Sequence, residues 1–248
     1  MRSRFRVIFF TIAAAFVILF TQACFDSTQT HLEQGDAYSK QNNWDSAISE
    51  YTEALKLSPK QAAVVYHKRG IAYNSKGQYD LAIADFTKAI ELAPNMVAAY
   101  SDRAIAYGNI GQLQLMLADL DATIKLNPKL ATAFNNRGVV RIAMEQYELA
   151  ISDLTTAIGL DPYMAQAYSN RGWAYFKVDY LESAIVDLNA AINLDPNLAV
   201  AYYRRGRVNY AKMKYDLALD DFKTTAELTN DPALKQAAAQ AIKLTEGK

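Results

Sequence analysis

The chain contains six prolines, at Pro59, Pro94, Pro128, Pro162, Pro196 and Pro232. The intervals between them are 35, 34, 34, 34 and 36 residues. A fixed period of this length marks stacked supersecondary units, because a unit this small cannot bury its apolar face alone and must bury it against copies of itself. The sequence divides accordingly into six units, residues 28–61, 63–96, 97–130, 131–164, 165–198 and 199–232, followed by residues 233–248. Asn127-Pro128, Asp161-Pro162 and Asp195-Pro196 each place a capping side chain before a residue that cannot continue a helix, so these junctions separate units.

Within a unit, apolar residues recur every three or four positions over two segments, which predicts two α-helices. The eighth place holds Gly35, Gly70, Ala104, Gly138, Gly172 and Gly206. Glycine inside a helix costs about 1 kcal/mol against alanine, so its recurrence needs a packing reason: without a side chain, two helices approach closely. Ala47, Ala82, Ala150, Ala184 and Ala218 serve the second helix at the twentieth place. Larger residues fill the matching grooves. They are Tyr38, Tyr73, Tyr107 and Tyr175 on the first helix, and Tyr51, Phe86, Leu120, Leu154, Leu188 and Phe222 on the second.

These residues resemble the tetratricopeptide repeat (TPR) family. Its pattern of an aromatic, Gly-x-x-Tyr, alanine, an aromatic, alanine and proline is followed in the fifth unit by Tyr168, Gly172, Tyr175, Ala184, Leu188, Ala191 and Pro196, with Leu188 at the second aromatic place. The resemblance implies an all-α fold, a right-handed α-solenoid of six TPR helix-turn-helix units. Residues 233–248 predict a capping helix and tail with a polar outer face, which a solenoid end requires. Departures are local. The third unit carries Ala104, Met116 and Thr123 in small-residue places, which predicts a looser joint there. Arg141 and Asn209 stand where tyrosine is expected, and Arg141 is read as pairing with Glu145 one turn later.

Two charged positions recur together. Arg69, Arg103, Arg137, Arg171 and Arg205 hold the seventh place of five units, and Asp85, Asp119, Asp153, Asp187 and Asp221 the twenty-third place of the same five. In the first unit both change, to Gln34 and Glu50. Joint recurrence predicts a structural ion pair, at least partly buried, between the two helices of each unit.

The remaining face of each first helix lines a concave groove for peptides or partner helices in TPR proteins, and the resemblance implies the same here. Along the chain that face becomes aromatic and basic, with Asn136, Asn170, Trp173, Phe176, Lys177, Tyr203, Arg204, Arg207 and Tyr210 as candidate partner-binding residues. Trp, Tyr and Arg dominate binding hot spots, and an asparagine amide offers both donor and acceptor to a ligand backbone. Packing of Trp173 and Phe176 against neighbouring helices is the alternative.

The first 23 residues differ in character. Arg2, Arg4 and Arg6 precede an apolar run from Val7 to Phe20, interrupted by Thr11. That run is shorter than the roughly 20 residues of a membrane-spanning helix and fits a signal-peptide core of about 7–15. An uncleaved anchor gives the same topology. Thr21-Gln22-Ala23-Cys24 resembles the bacterial lipoprotein signal, with Thr21 where leucine is usual. The resemblance implies a lipid on Cys24, the chain's single cysteine, with residues 24–27 forming the lipidated cysteine and a short tether. Ordinary cleavage leaving a free thiol is the alternative. Phe25 after the cysteine points to the outer membrane in a Gram-negative source. The formal net charge of zero sums this cationic signal with a remainder holding three more acidic than basic residues.

The reading is an exported, lipid-anchored scaffold or adaptor, facing the periplasm or cell exterior, that binds a protein or peptide. A pilotin-like chaperone or assembly factor for secreted or outer-membrane subunits, and a secreted protein without lipid, are the alternatives. One cysteine and two histidines argue against cysteine zinc sites, clusters and histidine-based catalysis. No phosphate loop or Gly-x-Ser-x-Gly occurs, so no enzyme, metal, small-molecule substrate or cofactor beyond the covalent lipid is expected. Balanced charge without a basic block argues against nucleic acid.

Overall fold

The computed structural model describes residues 27–57 and 61–248. The export signal over residues 1–23, Cys24 and the following Phe25 and Asp26 lie outside the described residues. Among the described residues there is no strand. The helices come in pairs: α1 (27–40) and α2 (Trp44–Leu57), α3 (Ala62–Ser75) and α4 (Tyr79–Leu92), α5 (Val97–Asn109) and α6 (Leu113–Leu126). Then follow α7 (Ala131–Ala143) and α8 (Tyr147–Leu160), α9 (Ala165–Lys177) and α10 (Leu181–Leu194), α11 (Ala199–Ala211) and α12 (Tyr215–Leu228), and finally α13 (Pro232–Glu246). The chain forms two compact bodies, one up to Asp119 and one from Leu120, divided within α6. This is the all-α helical-hairpin architecture of TPR solenoids.

In the first body α3 packs on α4 and also on α5. In the second body each helix packs on the next, and the odd-numbered helices α7, α9, α11 and α13 also touch in succession. The last helix thus docks where the first helix of a further repeat would sit. Asp231 caps it by accepting a hydrogen bond from Ala233 N at 2.8 Å, and Pro232 opens its first turn, where no amide hydrogen is needed.

Close approach within each hairpin explains the small residues. A Cβ added to Gly35 would lie 2.5 Å from Tyr51, one on Gly138 2.7 Å from Leu154 Cγ, and one on Gly206 2.6 Å from Phe222. Ala150, Ala157, Ala184 and Ala191 are fully buried around these contacts. The third repeat, expected to be looser, inverts the arrangement locally. Met116 stands in the small-residue place of α6, but Gly108 of α5 faces it, and a Cβ there would meet the Met116 sulfur at 2.8 Å.

The turn inside each hairpin has a residue with left-handed backbone at the fifteenth place. Gly77 and Gly111 adopt it freely, but Asn42, Glu145, Asp179 and Met213 occupy the same position with φ between 56° and 65°. Hydrogen bonds from Gln146 N to Arg141 O and from Lys214 N to Asn209 O close these turns and hold the disfavoured conformation.

The repeated arginine and aspartate form a bidentate pair in every repeat that has them. Arg69 Nε and Nη2 donate to the two carboxylate oxygens of Asp85 at 2.7 and 2.8 Å. Arg103–Asp119, Arg137–Asp153 and Arg171–Asp187 repeat this within 2.6–2.9 Å, and Arg205 reaches Asp221 at 2.7 Å. The aspartates are 4–8 % exposed and the arginines 16–25 %. Hydrogen bonding to the carboxylate pushes the Arg69, Arg103, Arg137 and Arg171 pKa values up. Each guanidinium also lies 5.5–5.8 Å from the aromatic ring one turn earlier, Tyr66, Tyr100, Phe134, Tyr168 or Tyr202.

Two features of this ladder differ from the sequence expectation. Arg141 pairs with Asp153 at 2.7 Å and donates to Leu149 O at 3.2 Å, instead of pairing with Glu145. Tyr73, Tyr107 and Tyr175 stack over the ladder arginine from the eleventh place. Arg141 replaces that ring by a second ion pair to its aspartate, and Asn209 by a hydrogen bond to its own. In the first repeat, Glu50 pairs with His31 at 2.6 Å. The third arm of each arginine was not foreseen. Nη1 donates to the second helix of the preceding repeat, at Thr52, Thr87, Asp121, Thr155 and Asn189, within 2.6–3.0 Å. All five hold the twenty-fifth place of their repeats.

Gly138→Ala should destabilise by about 1–3 kcal/mol through overpacking against Leu154. Gly159→Ala, whose new Cβ meets nothing within 4 Å in the same body, should stabilise by about 0.5–1 kcal/mol; urea unfolding distinguishes the signs. By the same assay, Asp153→Ala should cost about 3–5 kcal/mol, because two guanidinia lose their buried partner. Glu53→Ala, which breaks an exposed pair with Lys56, should cost at most about 1 kcal/mol.

Candidate functional site

The odd-numbered helices present the face expected to meet a partner. In the first body, several charges on it meet partners of opposite sign. Lys68 donates to both carboxylate oxygens of Asp36 at 2.7 Å. The Tyr51 hydroxyl donates to Asp36 at 2.8 Å, and burial, with that carboxylate beside it, raises the Tyr51 pKa to about 12. His67 and Asp102 are joined at 2.7 Å.

In the second body the same face is polar, aromatic and cationic. Asn136 lies on α7 and Asn170 on α9, and Asn135 of α7 joins them. Asn170 Nδ2 donates to Asn135 Oδ1 at 3.0 Å, and Asn135 Nδ2 donates to Asn136 Oδ1 at 3.3 Å. Arg204 of α11 begins this chain, donating through Nη1 to Asn170 Oδ1 and Ser169 Oγ, both at 2.9 Å. Every amide in the chain thus points its donor end away from Arg204. The row exists because the fifth and sixth places of consecutive first helices fall side by side.

Trp173 collects the cations. Its ring centroid lies 5.8 Å from the guanidinium carbons of both Arg204 and Arg207 and 5.9 Å from Lys177 Nζ. Positive charge is held against an aromatic face by the ring quadrupole. Phe176 lies 5.2 Å from Trp173, ring to ring, and is also packed against the core cluster around Leu188 and Val208. It therefore supports the indole from beneath while belonging in part to the core. Tyr203 packs in a tilted arrangement at 5.7 Å on buried Phe222, and Tyr210 meets Tyr215 edge to face at 5.4 Å. Arg207 is exposed and reaches the Tyr203 hydroxyl at 3.5 Å.

Arg204 differs electrostatically from the ladder arginines. Among the described residues its hydrogen-bond partners are neutral, and burial pushes its pKa down to about 10. At pH 7 it is still protonated, so the fold holds a charge without an opposite one beside it.

Family models described as tetratricopeptide repeat match residues 63–96, 131–163 and 165–198, and one described as TPR repeat matches residues 35–74. Together they cover about half the chain. Among solved structures, MamA of Desulfovibrio magneticus RS-1 is 25 % identical with a TM-score of 0.63, over 69 % of this chain and 97 % of that one. YrrB, described as a TPR protein with an unusual peptide-binding site, is 22 % identical with a TM-score of 0.60, over 77 % and 97 %. Pseudomonas aeruginosa PilF is 19 % identical with a TM-score of 0.64, over 75 % and 85 %. At these identities YrrB and PilF share the fold alone. No curated protein matches the chain.

Proposed function

Because this chain belongs to the tetratricopeptide repeat family, we propose that it is a protein-binding scaffold whose second body takes an acidic segment of a partner. The observation that carries the reading is Arg204, a partly buried guanidinium whose hydrogen-bond partners are neutral. A carboxylate within about 4–6 Å favours the charged form, so a bound acid would relieve the strain that burial places on Arg204. Lys177 and Arg207 around Trp173 add attraction of the same sign, which speeds encounter with an acidic partner and selects against a basic one. The aligned donors of Asn135, Asn136 and Asn170 suit backbone carbonyls of an extended peptide.

The site is anchored in this proposal by export and lipidation of the amino terminus. Arg2, Arg4 and Arg6, the apolar run to Phe20 and Ala23-Cys24 support it. Helix α1 begins at residue 27 among the described residues. At up to about 3.6 Å per residue, a lipid on Cys24 would keep the first repeat within about 10 Å of the bilayer.

Two experiments test these parts separately. Fluorescein-labelled oligoglutamate should bind the full-length protein, and Arg204→Gln should weaken that binding by roughly 30-fold. Its unfolding free energy should stay within about 1 kcal/mol, because an amide donor remains. Equal binding of oligolysine to the unaltered protein would sink the acidic-partner reading. For the anchor, cells fed labelled palmitate should incorporate it into this protein and not into the Cys24→Ala variant; equal labelling of both would reject lipidation at that residue.

A further inference from the structure

Helix α13 does more than end the stack. Between it and the preceding hairpin lies a cavity of about 390 Å³. Tyr203, Tyr210 and Phe222 line it on one side and Ala241 and Leu244 on the other, with Arg207 contributing its charge. On the α13 side the small side chains of Ala237 and Ala241 face this space, together with Gln240. Phe222, 1 % exposed, is fixed in the core, whereas Leu244 is 67 % exposed. A large aliphatic side chain standing in solvent beside an aromatic-walled hollow is half of an apolar contact.

The cavity is continuous with the basic site. Arg207 lines it and also lies 5.8 Å from the Trp173 ring centroid. Tyr203 lines it and precedes Arg204 directly. No carboxylate lines it, so its charge has the same sign as the patch around Trp173. A peptide lying on the face of α9 and α11 advances about 3.3–3.6 Å per residue, so a few residues carry it from Arg204 to α13.

We propose that this cavity is a second subsite for the same partner, receiving a bulky apolar side chain that stands a few residues from the carboxylate held by Arg204. The recognised segment is then an acidic stretch carrying one aromatic or large aliphatic anchor, and α13 is a wall of the binding site. Arg207 sits between the two subsites and fixes the anchor beside the acidic stretch. This rests on the acidic-partner reading above.

The test uses the full-length protein in detergent and labelled peptides of glutamate and glycine, with a single phenylalanine moved one position per peptide. The phenylalanine-free peptide measures the acidic site by itself. At least one register should bind about tenfold or more tightly than that reference. Ala241→Phe, which fills the cavity from α13, should abolish the gain while leaving the reference affinity unchanged. Leu244→Ser, at an exposed position that tolerates change, should reduce the gain and keeps the test open if the first variant misfolds. A gain absent in every register, or one that survives both variants, overturns the subsite while the acidic site stands. Failure of the phenylalanine-free peptide to bind overturns the acidic-partner reading and the subsite with it.

Discussion

The guanidinium of the seventh-place arginine is the joint on which the repeats depend. It clamps the buried aspartate of its own repeat with two parallel hydrogen bonds and reaches back to the preceding repeat with a third. A buried carboxylate tolerates few geometries, because a misplaced partner leaves a charge without compensation. Register within a hairpin and register between hairpins are therefore fixed by one planar group. The aromatic ring one turn earlier holds the plane in place. Alanines and glycines let the helices come close enough for this contact, and the large residues at Tyr51, Phe86, Leu154, Leu188 and Phe222 fill what remains.

Much of this was legible because the chain states its design several times. Proline spacing set the period, glycine and alanine marked the close approaches, and the joint change of Arg and Asp in the first repeat exposed the pair. What escaped had a physical cause. The acceptors at the twenty-fifth place are threonine, aspartate or asparagine, so they share a hydrogen-bonding capacity and no common identity. A partner for Arg141 along its own helix is the one spacing reveals, because pairs three or four residues apart share a helix face. The partner that Arg141 has lies across the hairpin, twelve residues on. The left-handed turn residues at Glu145, Asp179 and Met213 carry no glycine to announce them.

The candidate site was legible as residue types but not as a charge state. Both bodies carry ionisable groups on the expected face. In the first, Lys68 meets Asp36 and His67 meets Asp102. In the second, Arg204 donates to a serine and an asparagine and lies against the Trp173 ring, all of them neutral. Position along the chain could not separate these cases, because a neutralising partner comes from a neighbouring repeat about 35 residues away. Helix α13 was read as a polar cap for a related reason: Ala241 looks like an ordinary helix former, and nothing in its identity shows that it faces a space beside α11.

The backward reach of each arginine also bears on how such a chain could grow. A duplicated repeat brings an arginine for the acceptor before it and offers an acceptor to the arginine after it, so it can enter the middle of the row without stranding a charge. The two outer repeats break that reciprocity. Gln34 stands where the first repeat would need an arginine, and Lys223, a donor, stands where the sixth would offer an acceptor. The row is thus modular inside and specialised at its margins, which makes internal gain or loss of whole repeats the cheapest route to a longer or shorter relative.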